Sequence, residues 1–310
     1  MNAPVDIMAM FEQHDFLHVA APMVRYSRLP FRLLVREFGT DIVYTPMILA
    51  TSFIESESAR DADFVTGAGD GPLVVQFAAP DPTTFARACL FVAPHCSAVS
   101  LNCGCPQRWV MREGLGSALM LQESKVVGCV EEAKKMCPTL PIEVKIRLHN
   151  DVRRTVSMVQ QLHAAGADWI TLHGRLVKQP STSPPLIDQM TEVAAECNRL
   201  HIPIVFNGDV LSWDDVERVR DMKIFAGCMA ARGLLANPAL FSGPPAPSNS
   251  LNIVTRRFVD ICTDIGLPFY LFHHHLEMML YQACDSHERR QFANLRSVAG
   301  VDWWLRDRKW

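Results

Sequence analysis

Residues Val99–Trp109 read VSLNCGCPQRW and contain the transition around which the rest of the chain is organised. The apolar run Ala98–Leu101 predicts a buried strand, and the Gly and Pro that follow end it sharply. Asn102 and Cys105 therefore lie where a strand ends and a loop begins. In an α/β barrel this edge of the strands carries the chemistry.

The same alternation of an apolar strand and a helix-like segment occurs eight times. The strands are nearly continuous apolar runs, as expected for parallel strands covered on both faces. The pattern predicts an α/β fold, a (β/α)8 or TIM barrel. The predicted strands are Phe16–Met23, Asp41–Thr45, Pro72–Ala78, Ala98–Leu101, Ile142–Ile146, Asp168–His173, Ile202–Phe206 and Ile224–Met229. The predicted helices are Leu29–Phe38, Phe85–Val92, Lys125–Met136, Val152–Ala165, Ile187–Arg199 and Asp214–Arg220.

The pattern changes at 243–250, where GPPAPSNS predicts a linker rich in Pro and Ser. Three amphipathic segments without strand patterns follow: Leu251–Ile265, Phe269–Cys284 and Glu288–Trp304. We predict an N-terminal extension at 1–15, a catalytic barrel at 16–242, a linker at 243–250 and an all-helical domain at 251–310.

Length and composition set further bounds. The 310 residues suffice for one barrel and a small second domain, and the net charge of −3 means that a nucleic-acid partner needs a local basic patch. Ten scattered cysteines indicate a reducing compartment, and no apolar run has membrane-spanning length. Residues 1–15 do not resemble a signal peptide or a mitochondrial address. We expect a cytoplasmic or nuclear monomer with no membrane partner.

The two cysteines of the central loop are interpreted differently. A metal site is disfavoured, because Cys103 and Cys105 are two residues apart and no C-x-x-C pair or histidine cluster completes a ligand set. A thiolate nucleophile needs a histidine or a lowered pKa. A proton donor needs only an ordinary thiol, which a pKa of about 8.5 leaves protonated near neutral pH. We interpret Cys103 as a core residue and Cys105 as functional.

Six further motifs end or follow predicted strands. They are APMV at 21–24, VVQF at 74–77, EVKIR at 143–147, TLHGR at 171–175, NGD at 207–209 and GCMAARG at 227–233. Gln76 and Lys145 are polar groups within apolar strands, where each needs a buried partner. The alternatives are a core hydrogen bond for Gln76, an outward-facing Lys145 and a plain strand terminator at Pro22.

Together with NCGCPQ at 102–107, these motifs resemble the tRNA-dihydrouridine synthases over about residues 17–310, most closely the eukaryotic subgroup that acts on D-loop positions 20a and 20b. The resemblance implies an FMN-dependent oxidoreductase that reduces the C5=C6 bond of uridine in tRNA to 5,6-dihydrouridine. FMN would take hydride from NADPH and pass it to C6 of a uridine that has left its stack. Cys105, which matches the loop cysteine of the family, would protonate C5 from the side opposite the flavin.

The resemblance also implies a cofactor site. The implied FMN-binding residues are Pro22, Met23, Val24, Gln76, Asn102, Lys145, His173, Asn207, Gly208, Asp209, Ala231 and Arg232. Asn102 would bind flavin or hold the cysteine loop, and Lys145 would compensate the charge of reduced flavin. The loops after the seventh and eighth strands would take the phosphate.

Four arginines are candidate substrate-binding residues: Arg147, Arg175, Arg289 and Arg290. Residues 289–310 hold six cations and two anions, a net charge of +4, with Trp303 and Trp304 among them. We predict that this region and the barrel mouth hold tRNA jointly, with the aromatic rings stacking on bases. The alternative is a terminal helix whose tryptophans pack inward and whose arginines are only solvated.

Two other functions remain open from the sequence: a small-molecule FMN barrel of the dihydroorotate dehydrogenase type, and a tRNA-binding module that has lost catalysis. The helical C-terminal region and the NCGCP context disfavour the first. The presence of Gln76, Cys105, Lys145 and His173 disfavours the second.

Overall fold

Eight parallel strands form a closed barrel in the computed structural model, which describes residues 5–244, 246, 250–308 and 310. The strands are β1 (Leu17–Ala20), β2 (Val43–Tyr44), β4 (Leu73–Ala78), β5 (Ala98–Asn102), β6 (Ile142–Leu148), β7 (Trp169–Leu176), β8 (Ile204–Asn207) and β9 (Gly227–Ala230), while β3 (Ile48–Leu49) only extends the pairing of β4. They pair in the order β1-β9-β8-β7-β6-β5-β4-β2, and a parallel bridge from Val19 to Ile42 closes the ring. The predicted (β/α)8 fold is confirmed.

Helices cover the outside of this barrel. They are α2 (Leu29–Glu37), α3 (Ala50–Glu55), α4 (Glu57–Asp63), α5 (Pro82–Val92), α6 (Arg108–Arg112), α7 (Glu123–Met136), α8 (Val152–Ala164), α9 (Ile187–Arg199), α10 (Trp213–Asp221) and α11 (Arg232–Ala236). Successive strand residues point to opposite faces. Val144 and Ile146 of β6 therefore join the core under the helices, while Glu143, Lys145 and Arg147 face the barrel axis.

A short helix, α1 (Ile7–Gln13), covers the amino-terminal end of the barrel. Asp6 caps it by accepting from the backbone N–H groups of Met8 and Ala9. Its Phe11 ring lies 5.6 Å from that of Trp169, at the bottom of the barrel interior. The predicted N-terminal extension therefore contains a helix that the sequence analysis did not identify; its residues 1–4 lie outside the described chain.

Four helices follow the barrel: α12 (Leu251–Ile265), α13 (Phe269–Leu280), α14 (Ser286–Ala293) and α15 (Val298–Asp307). The prediction of one segment at Glu288–Trp304 is wrong, because two capped helices replace it. Asp285 begins α14 with a capping box, and the Ser297 hydroxyl caps α15. Of the predicted linker, only residues 243, 244, 246 and 250 are described, so the proposed domain boundaries remain predictions.

The helical region contacts the barrel beside the loop after β1. Arg257 of α12 donates two hydrogen bonds of 2.7 Å to the Glu37 carboxylate at the end of α2. His275 of α13 is buried, and its Nε2 lies 3.2 Å from the Tyr26 carbonyl oxygen. Burial lowers the pKa of His275 to about 4, so the ring is neutral at physiological pH and donates to that carbonyl. These contacts place α13 next to the barrel mouth.

Candidate active site

A cleft of about 360 Å³ opens at the carboxyl ends of the barrel strands. It brings together eleven of the predicted site residues: Pro22, Met23, Val24, Gln76, Asn102, Cys105, Lys145, His173, Asn207, Ala231 and Arg232. A smaller cleft of about 110 Å³ shares part of this lining and adds Arg175, Gly208 and Asp209. The motifs at the strand ends therefore surround one composite site, as expected from the barrel topology.

A chain of side-chain amides fixes the cysteine loop. The Gln76 side chain donates to the Ser100 hydroxyl at 3.0 Å and accepts from Asn102 Nδ2 at 2.7 Å. Asn102 Oδ1 accepts from the backbone N–H groups of Gly104, at 3.2 Å, and Cys105, at 3.0 Å. Asn102 thus holds the loop, which is one of the two roles anticipated for it, and it also lines the cleft.

Two residues outside the predicted set complete the support of this loop. The backbone N–H of Ser117 donates to the Cys105 carbonyl at 3.0 Å. The preceding Gly116 has a φ of 60°, and a Cβ there would lie 2.7 Å from the same carbonyl oxygen. Only glycine tolerates this combination of backbone angle and close approach. The glycine-rich GLG sequence at 114–116 was the available signal, although the partner of Gly116 was not readable from it.

The Cys105 thiol is half-buried, whereas Cys103 lies fully within the core. Burial raises the pKa of Cys105, although the nearby cations Arg147 and Lys145 oppose this effect. The thiol is therefore protonated at neutral pH. This state suits a proton donor and disfavours a thiolate nucleophile.

Lys145 lies at the floor of the cleft with its ammonium group turned inward, so the outward orientation is wrong. Its Nζ donates to Asn207 Oδ1 at 2.7 Å, and Asn207 Nδ2 donates in turn to the Met229 carbonyl at 2.9 Å. Burial lowers the pKa of Lys145 to about 8, with the buried Glu143 opposing this shift. Within the described chain Lys145 makes no direct ion pair, its only hydrogen-bond acceptor is a neutral amide, and Glu143 acts on it without contact.

His173 is surrounded by positive charge. Burial and the neighbouring Lys145, Arg147 and Arg175 lower the pKa of its ring to about 2, so the ring is neutral. Arg175 Nη1 lies 3.2 Å from His173 Nε2. Because a guanidinium group only donates hydrogen bonds, Nε2 is the acceptor and Nδ1 carries the proton. His173 can orient a ligand, but it is not an acid at neutral pH.

The arginines predicted to bind substrate hold the loops of the mouth. Arg147 donates to the Gly104 carbonyl at 2.7 Å and to the Leu176 carbonyl at 3.0 Å. Arg175 donates to the Ser183 carbonyl at 2.6 Å and pairs with Asp209, which also pairs with Arg232. Their positions explain how the loop after β7 is ordered. Substrate contacts by Arg147 and Arg175 remain predictions.

The candidates in the helical region are only partly available to a ligand. Trp303 is 64% exposed, but Trp304 is 2% exposed and packs against Phe292 at 5.1 Å between ring centroids. The prediction that Trp304 stacks on bases is therefore wrong. Arg290 is exposed and makes no ion pair within the described residues, whereas Arg289 lies over the Tyr281 ring at 4.6 Å.

Other predicted cations of this region are paired. Arg306 donates to Asp302 at 2.8 Å, and Arg308 lies 3.8 Å from Glu288. Lys309, which contributed to the predicted net charge of the segment, lies outside the described residues. The basic patch available for a polyanion is consequently smaller than the sequence count implies.

The cleft fits the flavin nucleotide that the sequence resemblance implies. A buried ammonium group that has only a neutral acceptor is costly unless an anion approaches it, and Lys145 is in this position. Arg232 opens α11 at the edge of the smaller cleft and adds a guanidinium group for a phosphate. This guanidinium group already forms an ion pair with Asp209, so a phosphate bound there would share Arg232 with a carboxylate.

The described residues contain no group of three or more His, Cys, Asp or Glu side chains arranged for a metal ion. No helix among them is long and apolar enough to cross a membrane.

Comparison with known proteins identifies the family. The model of the dihydrouridine synthase family matches residues 19–299. The chain is 40% identical over 304 residues to the mouse tRNA-dihydrouridine(20a/20b) synthase [NAD(P)+]-like protein, covering 97% of this chain and 92% of that one. It is 40% identical over 305 residues to the Schizosaccharomyces pombe tRNA-dihydrouridine(20a/20b) synthase [NAD(P)+], covering 98% and 91%. A mouse tRNA-dihydrouridine(16/17) synthase-like protein is less similar, at 31% over 290 residues, covering 92% and 60%.

The barrel fold and the family match together define the class, a (β/α)8-barrel oxidoreductase that acts on a CH–CH bond. The X-ray structure of a variant of NCR from Zymomonas mobilis shares the fold, with a TM-score of 0.52 at 10% identity, covering 79% of this chain and 93% of that one. Within this class, the chain belongs to the dihydrouridine synthase family.

Proposed function

We propose that this protein is a tRNA-dihydrouridine synthase that uses FMN and NADPH to reduce the C5=C6 bond of uridine in the D-loop, at positions 20a and 20b. The names of its relatives support tRNA as the substrate and NAD(P)H as the reductant. The observation that carries the proposal is that one cleft is lined by both a protonated thiol, Cys105, and a buried ammonium group, Lys145.

Each group of the cleft has a definite task in this proposal. FMN would supply the two-electron chemistry. Lys145 would bind and offset the charge of the flavin, and the neutral His173 would orient it by hydrogen bonding. The loop built from Asn102 and Gly116 would hold the Cys105 thiol where it can deliver a proton to C5 of an extruded uridine.

The decisive test of the function is dihydrouridine mapping in tRNA from cells that lack the protein. We expect uridine in place of dihydrouridine at 20a and 20b, and restoration by the wild-type gene. Unchanged dihydrouridine at every D-loop position would contradict the proposal.

We expect the purified protein to be yellow and to show flavin absorbance. The physical reason is that the Lys145 ammonium lines the cleft without a direct ion pair among the described residues, beside the amides of Gln76 and Asn102. The measurement is the visible absorption spectrum, followed by identification of the released cofactor. Colourless protein that also fails to bind added FMN would exclude this cofactor.

We expect tRNA binding to weaken when Arg289, Arg290 and Arg296 are replaced together by Ala. These side chains belong to α14 and the turn after it, and Arg296 lines a cleft of about 340 Å³ between α13, α14 and the loop after β1. Each lost phosphate contact should lower the slope of log affinity against log salt by roughly 0.7–0.9. Affinity would be measured over a series of salt concentrations, with FMN content as the check on folding.

A matched control removes the exposed arginines Arg153, Arg199 and Arg218, which lie on α8, α9 and α10 around the barrel. This triple variant changes net charge equally but should keep the wild-type salt slope. If both variants bind tRNA as the wild type does, the helical region is not the RNA-binding element.

A further inference from the structure

The carboxyl group of Glu143 lies inside the barrel, below the cleft. Glu143 precedes Lys145 by two residues on β6, so the two side chains share the face that points to the barrel axis. Glu143 is 0% exposed, and neither carboxyl oxygen has a hydrogen-bond partner among the described residues. Burying a carboxylate without hydrogen bonds costs free energy. The ionised form of Glu143 is therefore disfavoured unless a nearby positive charge stabilises it.

Hydroxyls from three other strands of the barrel surround this carboxyl group. Ser100 of β5, Thr171 of β7 and Tyr44 of β2 direct hydroxyls towards it and lower its pKa as weak hydrogen-bond donors, although none meets the full distance and angle of a hydrogen bond. The other titratable or charged groups that face Glu143 or Lys145 are Cys103, Cys105, Arg147 and His173. Glu143 is therefore the one carboxyl group in this described cluster, and Lys145 is its cationic neighbour.

The two groups influence each other in opposite directions. Burial raises the pKa of Glu143, and the charge of Lys145 lowers it. Burial also lowers the pKa of Lys145 to about 8, and the charge of Glu143 raises it. Two sites that interact in this way titrate as a pair.

We propose that Glu143 and Lys145 form a proton-sharing unit that adjusts the charge under the cleft to the charge of the bound ring. In the ligand-free protein, or with oxidised flavin, the unit holds one proton and has no net charge. When the flavin is reduced to its anion, Glu143 takes up one proton from solvent, an O–H bond forms on its carboxyl group, and the unit becomes positive. The ligand in this inference rests on the proposed function, whereas the coupling between the two groups belongs to the protein alone.

Glu143→Gln gives the direct test, because the neutral amide carries no charge and cannot take up a proton. We expect a higher reduction potential of the bound flavin in the variant than in the wild type wherever Lys145 is protonated, because the variant has no carboxylate charge to neutralise when the flavin anion forms. The difference should shrink as pH falls and Glu143 becomes protonated in both redox states of the wild type. Equal potentials in the two proteins at all pH values would overturn the proposal.

Asp168→Asn is the matched control. Asp168 immediately precedes β7, the strand next to β6, but it pairs with Lys134 at 2.6 Å, and its side chain is partly exposed. Its replacement removes a carboxylate outside the cleft. The variant should lose stability without changing the flavin potential; a shift equal to that of Glu143→Gln would show that the effect is not local.

The ligand-free protein offers a test that does not depend on the flavin. Because the pKa of Glu143 is raised in the folded state, its contribution to stability is fully present below the unfolded pKa of about 4.3 and is lost as pH rises through the folded value. The melting temperature of Glu143→Gln should therefore rise relative to wild type as pH increases through this window. A constant difference between the two curves would show that Glu143 does not titrate in this way.

If Glu143→Gln does not fold, the wild type still decides the question. An infrared difference spectrum between oxidised and reduced protein should gain the band of a protonated carboxyl group on reduction. Its absence would refute proton uptake by Glu143. Failure of dihydrouridine synthesis would instead contradict the proposed function, while the melting curves would still report on the Glu143–Lys145 unit.

Discussion

Cys105→Ala should retain flavin and lose most dihydrouridine formation. Removing a positioned general acid typically costs about 10²–10⁴-fold in rate, and the thiol is the protonated group that the cysteine loop holds in the cleft. The rate would be measured in single turnover on tRNA with prereduced enzyme. Because burial raises the pKa of Cys105, the proton-donating form should persist through neutral pH and be lost only as pH rises through that pKa.

Cys103→Ala is the matched control, because Cys103 is two residues away but fully buried in the core. Its loss should reduce stability through the small cavity it leaves, with little effect on turnover once the protein is folded. Turnover by Cys105→Ala equal to that of the wild type would remove Cys105 from the mechanism.

Lys145→Met should bind FMN far more weakly than the wild type. The ammonium is buried, and Asn207 Oδ1 is its only hydrogen-bond acceptor in the described chain. Glu143 acts on it without direct contact, so a bound anion would be its direct ionic partner. Truncating one partner of a buried, hydrogen-bonded charge pair costs about 2–5 kcal/mol, which lowers affinity by about 30-fold or more. The measurement is a titration of flavin-free protein with FMN, followed by quenching of flavin fluorescence.

Lys134→Met serves as the control for this variant. Lys134 is also partly buried, but it pairs with Asp168 on the outside of the barrel at 2.6 Å. Its removal should leave FMN affinity unchanged. If Lys145→Met binds FMN as tightly as Lys134→Met does, the cleft does not use Lys145 to hold the cofactor.

The barrel and most of the cleft were predictable because their signals are local. Parallel strands buried on both faces appear as apolar runs, and the polar residues Gln76, Asn102 and Lys145 interrupt them conspicuously. The topology of a barrel then brings all strand ends to one rim. Placing the motifs at strand ends was therefore sufficient to predict that they meet.

The errors concern positions whose environment depends on distant residues. Trp303 and Trp304 are adjacent in the sequence, but α15 turns one to solvent and the other against Phe292. The break between α14 and α15 was missed because both flanking segments are amphipathic, and only the C-cap at Asn294 and the N-cap at Ser297 separate them. In each case the apolar pattern is ambiguous until the packing partner is known.

Residue type, strand pattern and neighbouring residues were enough to predict the barrel, the clustering of the motifs at its carboxyl end and Cys105 as the candidate proton donor. Only the tertiary structure decided which groups are charged and which are already engaged. Burial raises the pKa of Cys105 and lowers that of Lys145 to about 8, while Asp209 ties together Arg175 and Arg232. The role proposed for Glu143 also became visible only in the tertiary structure, because the cost of a buried charge depends on the groups that the fold brings around it.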